Sequence, residues 1–245
     1  MLNTFNNQLQ AVALASPTGS GKTVMATAAI EFLLEGDATH PPRSNATFLW
    51  LSDQPELNEQ TRRKMLETSH ILGPSKLVVI DSTFDEEAFR PGIVYFLNIQ
   101  KLGKEKTLVT PGDDRSYSIW ETVNNTVRAR PGNFFIFIDE AHRGMAESSR
   151  ARNEAATIVQ KFIKGSPNEV VPIPLIAGIS ATPDRFTRLI EGSTGRISRQ
   201  VVVNPEDVRA SGLLKEQITF YHPNEDQPSD MTMLRAAARA WKTYK

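Results

Sequence analysis

The sequence contains no cysteine and no excess of charge of either sign. Without cysteine there are no disulfides, thiolate metal ligands or cysteine nucleophiles, and a reducing compartment is favoured. The 28 basic and 28 acidic residues give a net charge of zero. No global positive field therefore attracts nucleic acid, and any site for a polyanion must be local.

Long hydrophobic runs are also absent. No run approaches the roughly 20 apolar residues of a membrane-spanning helix, and the N-terminal MLNTFNNQLQ lacks the basic and apolar regions of a secretion signal. We therefore expect a soluble, cytoplasmic protein with no membrane partner. At 245 residues the chain can form one large α/β domain, or one domain and part of another.

Short apolar runs alternate with longer segments of helical periodicity. The runs are almost continuously apolar, which is typical of parallel strands covered on both faces. Their order predicts an α/β fold with a mostly parallel, doubly wound sheet and helices on both faces. The predicted strands are 11–15, 46–51, 76–80, 92–97, 133–139 and 174–180, and the predicted helices are 21–34, 55–69, 116–127, 148–163 and 186–191.

The composition changes near residue 216. A predicted strand at 217–222 is followed by a linker-like stretch, PNEDQPSD. We expect one domain over 1–215, and over 216–245 an extension or the truncated start of a linker or second domain. Residues 231–245 predict an amphipathic helix with Met231, Leu234, Ala238 and Trp241 on one face.

A glycine turn, SPTGSGKT at residues 16–23, joins the first predicted strand to the first helix. Such a turn directs several backbone N–H groups into one concavity, where the helix dipole adds positive potential and phosphate oxygens fit. Lys22 can reach the β and γ phosphates, and the Thr23 hydroxyl can bind Mg²⁺. Ser16 replaces the first glycine of the strict pattern. The predicted phosphate-binding residues are Pro17, Thr18, Gly19, Ser20, Gly21, Lys22 and Thr23.

Two consecutive carboxylates end a second apolar strand, in FFIFIDEAHRG at residues 134–144. The carboxyl ends of parallel strands form the edge at which α/β proteins bind ligands. Asp139 is placed there to hold Mg²⁺, and Glu140 to orient or deprotonate an attacking water. Each carboxylate alone could also be a helix cap or a solvated charge. The pair, with a phosphate loop upstream, favours nucleotide hydrolysis.

A third turn, SATPDRF at residues 180–186, follows the strand PLIAGI. Ser180 and Thr182 put two hydroxyls at the same edge, where they could bond His142 or Glu140 and sense a γ phosphate. Taken alone, serine and threonine beside proline are typical of an ordinary turn.

The stretches SPTGSGKT, IDEAHR and SATP, in this order, resemble motifs I, II and III of superfamily 2 DEAD/DEAH-box helicases over about residues 8–215. More narrowly, FLWLSDQPELNEQTRRKM, IVYFLNIQKLGK, RSYSIWETVNNTV and DVRASGLLKEQI resemble segments of the Res subunit family of type III restriction enzymes. The resemblance implies an N-terminal RecA-like motor domain that uses ATP and Mg²⁺. It assigns Lys22, Thr23, Asp139 and Glu140 to nucleotide, metal and water, and His142, Ser180 and Thr182 to coupling hydrolysis with movement.

The resemblance also implies backbone contacts to one nucleic-acid strand, which we expect to be DNA rather than RNA. Such contacts carry no base information and suit a motor that steps along any sequence. Arg63 and Lys64 are equally consistent with a solvated helix face, and Trp50 and Trp120 are predicted to lie in the core. The candidate contacts are Ser52, Gln60, Arg62, Asn98, Gln100 and Lys101.

The family further implies a second RecA-like domain in cis and a modification or nuclease subunit as partner. An arginine finger from such a domain is worth about 10³ to 10⁵ in turnover, so this chain alone should bind nucleotide and hydrolyse it poorly. Only Phe5, Gln8 and Gln10 are available for the adenine-reading segment of many relatives.

Two rival functions follow from the same residues. A P-loop kinase or GTPase is disfavoured, because the sequence has no guanine-reading N-K-x-D pattern and the Asp-Glu pair favours hydrolysis over phosphoryl transfer to a small acceptor. An ABC-type LSGGQ stretch is also absent. A nucleotide-gated interaction scaffold without productive turnover remains the main alternative to a translocase or helicase of a restriction-like system. ATP hydrolysis that nucleic acid stimulates would distinguish a translocase or helicase from such a scaffold.

Overall fold

The structure is a computed structural model in which parts of the chain are described. These are residues 8–103, 106–110, 115–139, 150–167, 169–182, 184–193, 195–212, 234–235 and 237–239, with the backbone alone at 150–156, 185 and 189. The predicted strand at 217–222 lies outside the described residues. Of the predicted helix at 231–245, residues 234–235 and 237–239 are described and are helical.

The described residues form a seven-stranded sheet in which every neighbouring pair of strands is parallel. The strands are β1 (Leu9–Ala15), β2 (Thr47–Ser52), β3 (Leu77–Val79), β4 (Val94–Asn98), β5 (Phe134–Asp139), β6 (Leu175–Ser180) and β7 (Arg196–Val202). The helices are α1 (Lys22–Glu35), α2 (Pro55–Thr68), α3 (Ile119–Ala129), α4 (Arg150–Lys164), α5 (Asp184–Glu191) and α6 (Pro205–Ala210). None of the helices described is long and apolar enough to cross a membrane.

The order of the strands across the sheet is β3-β4-β2-β5-β6-β1-β7. The six strands predicted between 11 and 180 and the five helices predicted between 21 and 191 are present, and their described ends differ from the prediction by a few residues at most. The predicted α/β fold with a parallel sheet and helices on both faces is therefore confirmed.

β7 and α6 were not predicted from the sequence. β7, RISRQVV, is an edge strand that pairs with β1, and every residue after Arg196 is exposed. Its polar and apolar residues are interspersed because neither face needs to be fully covered. The strand therefore lacks the continuous apolar run that identified the others.

Both faces of the sheet are covered, which explains why the central strands are apolar throughout. Phe48 and Trp50 of β2 pack in one cluster with residues of α1 and α2. Leu49 and Leu51, which alternate with them, pack in the other cluster with residues of α3 and α4. Trp50 is 1% exposed and Trp120 is 4% exposed, so both lie in the core as predicted.

A buried arginine holds β7 against the rest of the sheet. The guanidinium of Arg196 donates to the backbone oxygens of Gln10, Ile163, Ile173 and Pro174 at 2.7 to 3.5 Å. Ile163 lies in the last turn of α4, where carbonyl groups favour a cation. Burial lowers the pKa of Arg196 to about 10, and the carbonyl contacts offset part of the cost of burying the charge.

Gly178 of β6 allows α5 to pack directly on the sheet. A methyl group at this position would overlap the ring of Phe186, which is buried. We expect Gly178→Ala to lower the free energy of unfolding by about 1–3 kcal/mol, the usual cost of overpacking a core. Urea denaturation measures it. Gly73→Ala is the matched control, because nothing lies within 4 Å of its added methyl; equal effects of the two changes would contradict this packing.

Candidate nucleotide site and nucleic-acid face

The strand β6 lies between β1 and β5 and aligns their carboxyl ends. Ala15 pairs with Ser180, and Asp139 pairs with Ile179. Because adjacent strands lie about 4.8 Å apart, the ends of β1 and β5 are about 10 Å from each other. The structure thus brings the glycine turn, Ser180 and Asp139 to one edge of the sheet.

The glycine turn forms an open, uncapped start to α1. Gly19 and Gly21 have φ values of 84° and 83°, a left-handed conformation that glycine adopts without strain. The helix begins at Lys22, and no side chain caps its first turn. The backbone N–H groups of that turn therefore remain available for an anion.

The side chain of Lys22 folds back over the turn. Its Nζ lies 3.5 Å from the carbonyl oxygen of Ser16 and 3.4 Å from that of Pro17. Both are long contacts to neutral acceptors, and a charged phosphate oxygen would bind an ammonium more strongly. Thr18 and Gly19 are exposed at the tip of the turn, Pro17, Gly21 and Thr23 are half-buried, and Ser20 is buried.

Ser16 and Ser20 form a contact inside the turn that the sequence analysis did not predict. Their hydroxyl oxygens are 2.5 Å apart, and both residues are buried. The N–H of Ser16 also donates to the carbonyl oxygen of Ser180 at 3.1 Å. The backbone of residue 16 thus anchors the turn to β6, and its side chain packs the turn internally against Ser20. In the sequence, the only sign of this contact is a pair of serines four residues apart, because the contact itself depends on how the turn curves.

The predicted metal and coupling residues are described in part. Asp139 is half-buried at the end of β5. Ser180 is buried, its hydroxyl accepts a hydrogen bond from the N–H of Thr182 at 3.0 Å, and Thr182 itself is exposed. Glu140 and His142 lie outside the described residues, so their roles stay predictions.

Two of the predicted nucleic-acid contacts lie beneath the surface. Ser52 is 0% exposed and Asn98 is 2% exposed. The hydroxyl of Ser52 is 2.9 Å from the carbonyl oxygen of Gln54 and 2.7 Å from Oδ1 of Asn58. Oδ1 of Asn98 accepts from the N–H of Gln100 at 2.7 Å. In this structure both side chains therefore order the turns that follow β2 and β4.

The other four candidates lie nearer the solvent. Arg62 is half-buried and donates to the carbonyl oxygen of Leu77 and to Glu59. Nζ of Lys101 donates to the carbonyl oxygen of Ile80 at 2.8 Å. Gln60 and Gln100 are exposed, and Nε2 of Gln100 donates to the carbonyl oxygen of Asp53. As contacts to nucleic acid, all six residues stay predictions.

The strand order and the glycine turn define this protein as an α/β domain with a parallel sheet and a glycine-rich turn between β1 and α1. Residues 1–185 match the family model described as the type III restriction enzyme, res subunit. The chain therefore belongs to this helicase-like family. No curated protein matches it.

Three solved structures are similar to the described fold at low sequence identity. The helicase domain of Pyrococcus furiosus Hef is 19% identical with a TM-score of 0.45, and the match covers 83% of this chain and 37% of the Hef chain. A nuclease-deletion mutant of the Type ISP restriction-modification enzyme LlaGI, in complex with a DNA substrate mimic, is 16% identical with a TM-score of 0.45. That match covers 85% of this chain and 19% of the LlaGI chain. A variant of S. cerevisiae Dbp5 bound to Gle1 and IP6 is 11% identical with a TM-score of 0.43, and the match covers 82% of this chain and 44% of the Dbp5 chain. This chain thus spans less than half the length of each.

The hydroxyl pair in the turn gives a test of its packing. Ser16→Ala leaves the buried hydroxyl of Ser20 without its partner, so we expect a loss of about 1–3 kcal/mol in the free energy of unfolding. The double change Ser16→Ala with Ser20→Ala removes both groups and should cost less than the single change. Urea denaturation compares the two, and a double variant that is the less stable would contradict the pairing.

Proposed function

We propose that this chain is the ATP-binding motor domain of a nucleic-acid translocase or helicase. It uses ATP and Mg²⁺, acts on DNA rather than RNA, and works within a restriction-like system that includes a nuclease or modification partner. The family match supports the helicase-like class. The polymer, the partners and the activity of the whole protein are part of the proposal.

One observation carries the proposal. The glycine turn and Asp139 are aligned through β6 at the carboxyl edge of the sheet. The turn offers N–H groups and an ammonium for phosphate, and the carboxylate is an oxygen ligand of the kind that Mg²⁺ prefers. A triphosphate with its metal needs both features on the same side of the molecule.

The residues of the chain then take the following roles. The N–H groups of residues 19 and 21–23 hold the phosphates, while that of Ser20 donates to the carbonyl oxygen of Pro17. Lys22 leaves the two carbonyl oxygens that it contacts in this structure to bind the β and γ phosphates. Thr23 and Asp139 would hold Mg²⁺, which would supply positive charge beside the phosphates. Glu140 orients the attacking water and accepts its proton, while His142, Ser180 and Thr182 transmit the change to the neighbouring domain.

The nucleic-acid face is proposed for the turns after β2 and β4. The two strands pair directly, with Ser52 opposite Asn98, so their turns lie side by side. Gln60 and Gln100 are the exposed candidates on this surface, with Arg62 and Lys101 beside them. Ser52 and Asn98 support the surface from below. A strand bound here would lie at the same edge of the sheet as the nucleotide.

The phosphate role predicts how this chain binds nucleotide. We expect Lys22→Ala to weaken the binding of a fluorescent ATP analogue by about 10- to 100-fold, the usual worth of a charge-assisted hydrogen bond. Asp139→Asn should remove the dependence of that binding on Mg²⁺. Gln60→Ala is the control, because it changes an exposed side chain on the nucleic-acid face. Unchanged affinity of the Lys22 variant would rule out the phosphate role.

The motor function predicts stimulation of hydrolysis by a polymer. In the full-length protein we expect ATPase activity to rise with DNA more than with RNA, and the stimulation to fall steeply with salt, because phosphate contacts release counterions. ATPase rates with single-stranded DNA, duplex DNA and RNA at several salt concentrations measure this. Binding of ATP without stimulation by any polymer would instead favour a nucleotide-gated scaffold.

A further inference from the structure

An apolar groove of about 670 Å³ opens between α1 and the sheet. Its floor includes Leu14 of β1, Phe137 of β5 and Ile179 of β6, and Met25 and Ala29 of α1 form one wall. The groove runs along the strands towards their starts, where Asn133 and the loop 40–43 line it. It is separate from the glycine turn, although the same helix borders both.

The uncovered surface continues from the groove onto the edge strand. Val201 of β7 lines the groove and is 49% exposed, and Ile197 of the same strand is 47% exposed. On the opposite face of the sheet, α5 packs against β1 and β7. Parallel sheets are normally covered on both faces. Among the described residues, no element covers this part of the sheet on the side of α1.

We propose that residues 1–7 of this chain occupy the groove, with Leu2 and Phe5 as the apolar anchors. The two residues are three positions apart, so one helical turn would place both on the same side. The groove thus has an occupant of matching chemistry within its own chain.

The position of this segment favours it. Gln8 alone separates residues 1–7 from β1, and Gln10 of β1 pairs with Leu175, which lines the groove. Seven residues reach at most about 25 Å, so the segment always stays near the start of these strands. Its effective concentration at the groove is therefore high.

Two other occupants are less well supported. Residues 234–239 belong to the predicted amphipathic helix, but Leu234 is 64% exposed and is not among the residues at the groove. Residues 211–233 also separate that helix from α6, and closing a longer loop costs more entropy. A second copy of the chain would have to compete with a segment that is already tethered at the site.

Docking of residues 1–7 would stabilise the helix that starts at the glycine turn. Met25 and Ala29 of the groove wall follow Lys22 by one and two turns of α1. Covering them buries apolar surface on the exposed side of the helix. The inference does not depend on the proposed motor activity, because it concerns packing alone.

The absence of native cysteine permits a direct test by cross-linking. Phe5→Cys would be combined in turn with Ala29→Cys, with Val201→Cys and, as a control, with Arg128→Cys on α3, which covers the other face. A short bismaleimide reagent joins the thiols, and mass spectrometry of the peptides gives the yield. We expect at least a tenfold higher intramolecular yield with either groove position than with the control, and equal yields would overturn the proposal.

The same reagent distinguishes the rival occupants. A variant with Leu234→Cys and Ala29→Cys tests the C-terminal helix, and cross-linked dimers of the Phe5→Cys pairs would reveal a second copy. Dominance of either product would overturn the proposal. Thermal unfolding gives an independent readout: we expect Phe5→Asp to lower the Tm by about 3 to 10 °C, while Gln8→Asp, at an exposed position, leaves it unchanged. Equal Tm values for the two variants would also count against docking.

Discussion

The alignment of three parallel strands is the constraint on which the site depends. Backbone hydrogen bonds fix Ala15 opposite Ser180 and Asp139 opposite Ile179. A slip of one residue would turn each side chain to the other face of the sheet. The bond from the N–H of Ser16 to the oxygen of Ser180 extends this order beyond the strand. The glycine turn is therefore held by the sheet itself.

The glycine turn has a packed base and an upper side that can bind an anion. Ser16 and Ser20 are buried and bonded to each other, so the base of the turn is packed like a core. Its upper side offers uncapped N–H groups and a lysine whose contacts in this structure are two carbonyl oxygens. An anion supplies what both lack, which is why phosphate is the ligand that we propose.

Burial made the central strands predictable from the sequence. Strands such as β2 and β5 lie between two helical layers, so their residues are apolar at every position and are recognisable without any partner. β7 has only one neighbouring strand and an exposed surface, so its pattern gave no comparable signal. The resemblance assigned Ser52 and Asn98 to nucleic acid, and only the tertiary structure shows that both are buried in local hydrogen bonds.

The sequence by itself determined the order of strands and helices, the glycine turn, and the family to which the chain belongs. These features are local, since a turn or an apolar run is specified by neighbouring residues. Tertiary structure alone decided which strand ends lie together, the burial of Ser16 against Ser20, and the groove beside α1. Those features depend on contacts between segments far apart in the chain, and no single segment encodes them.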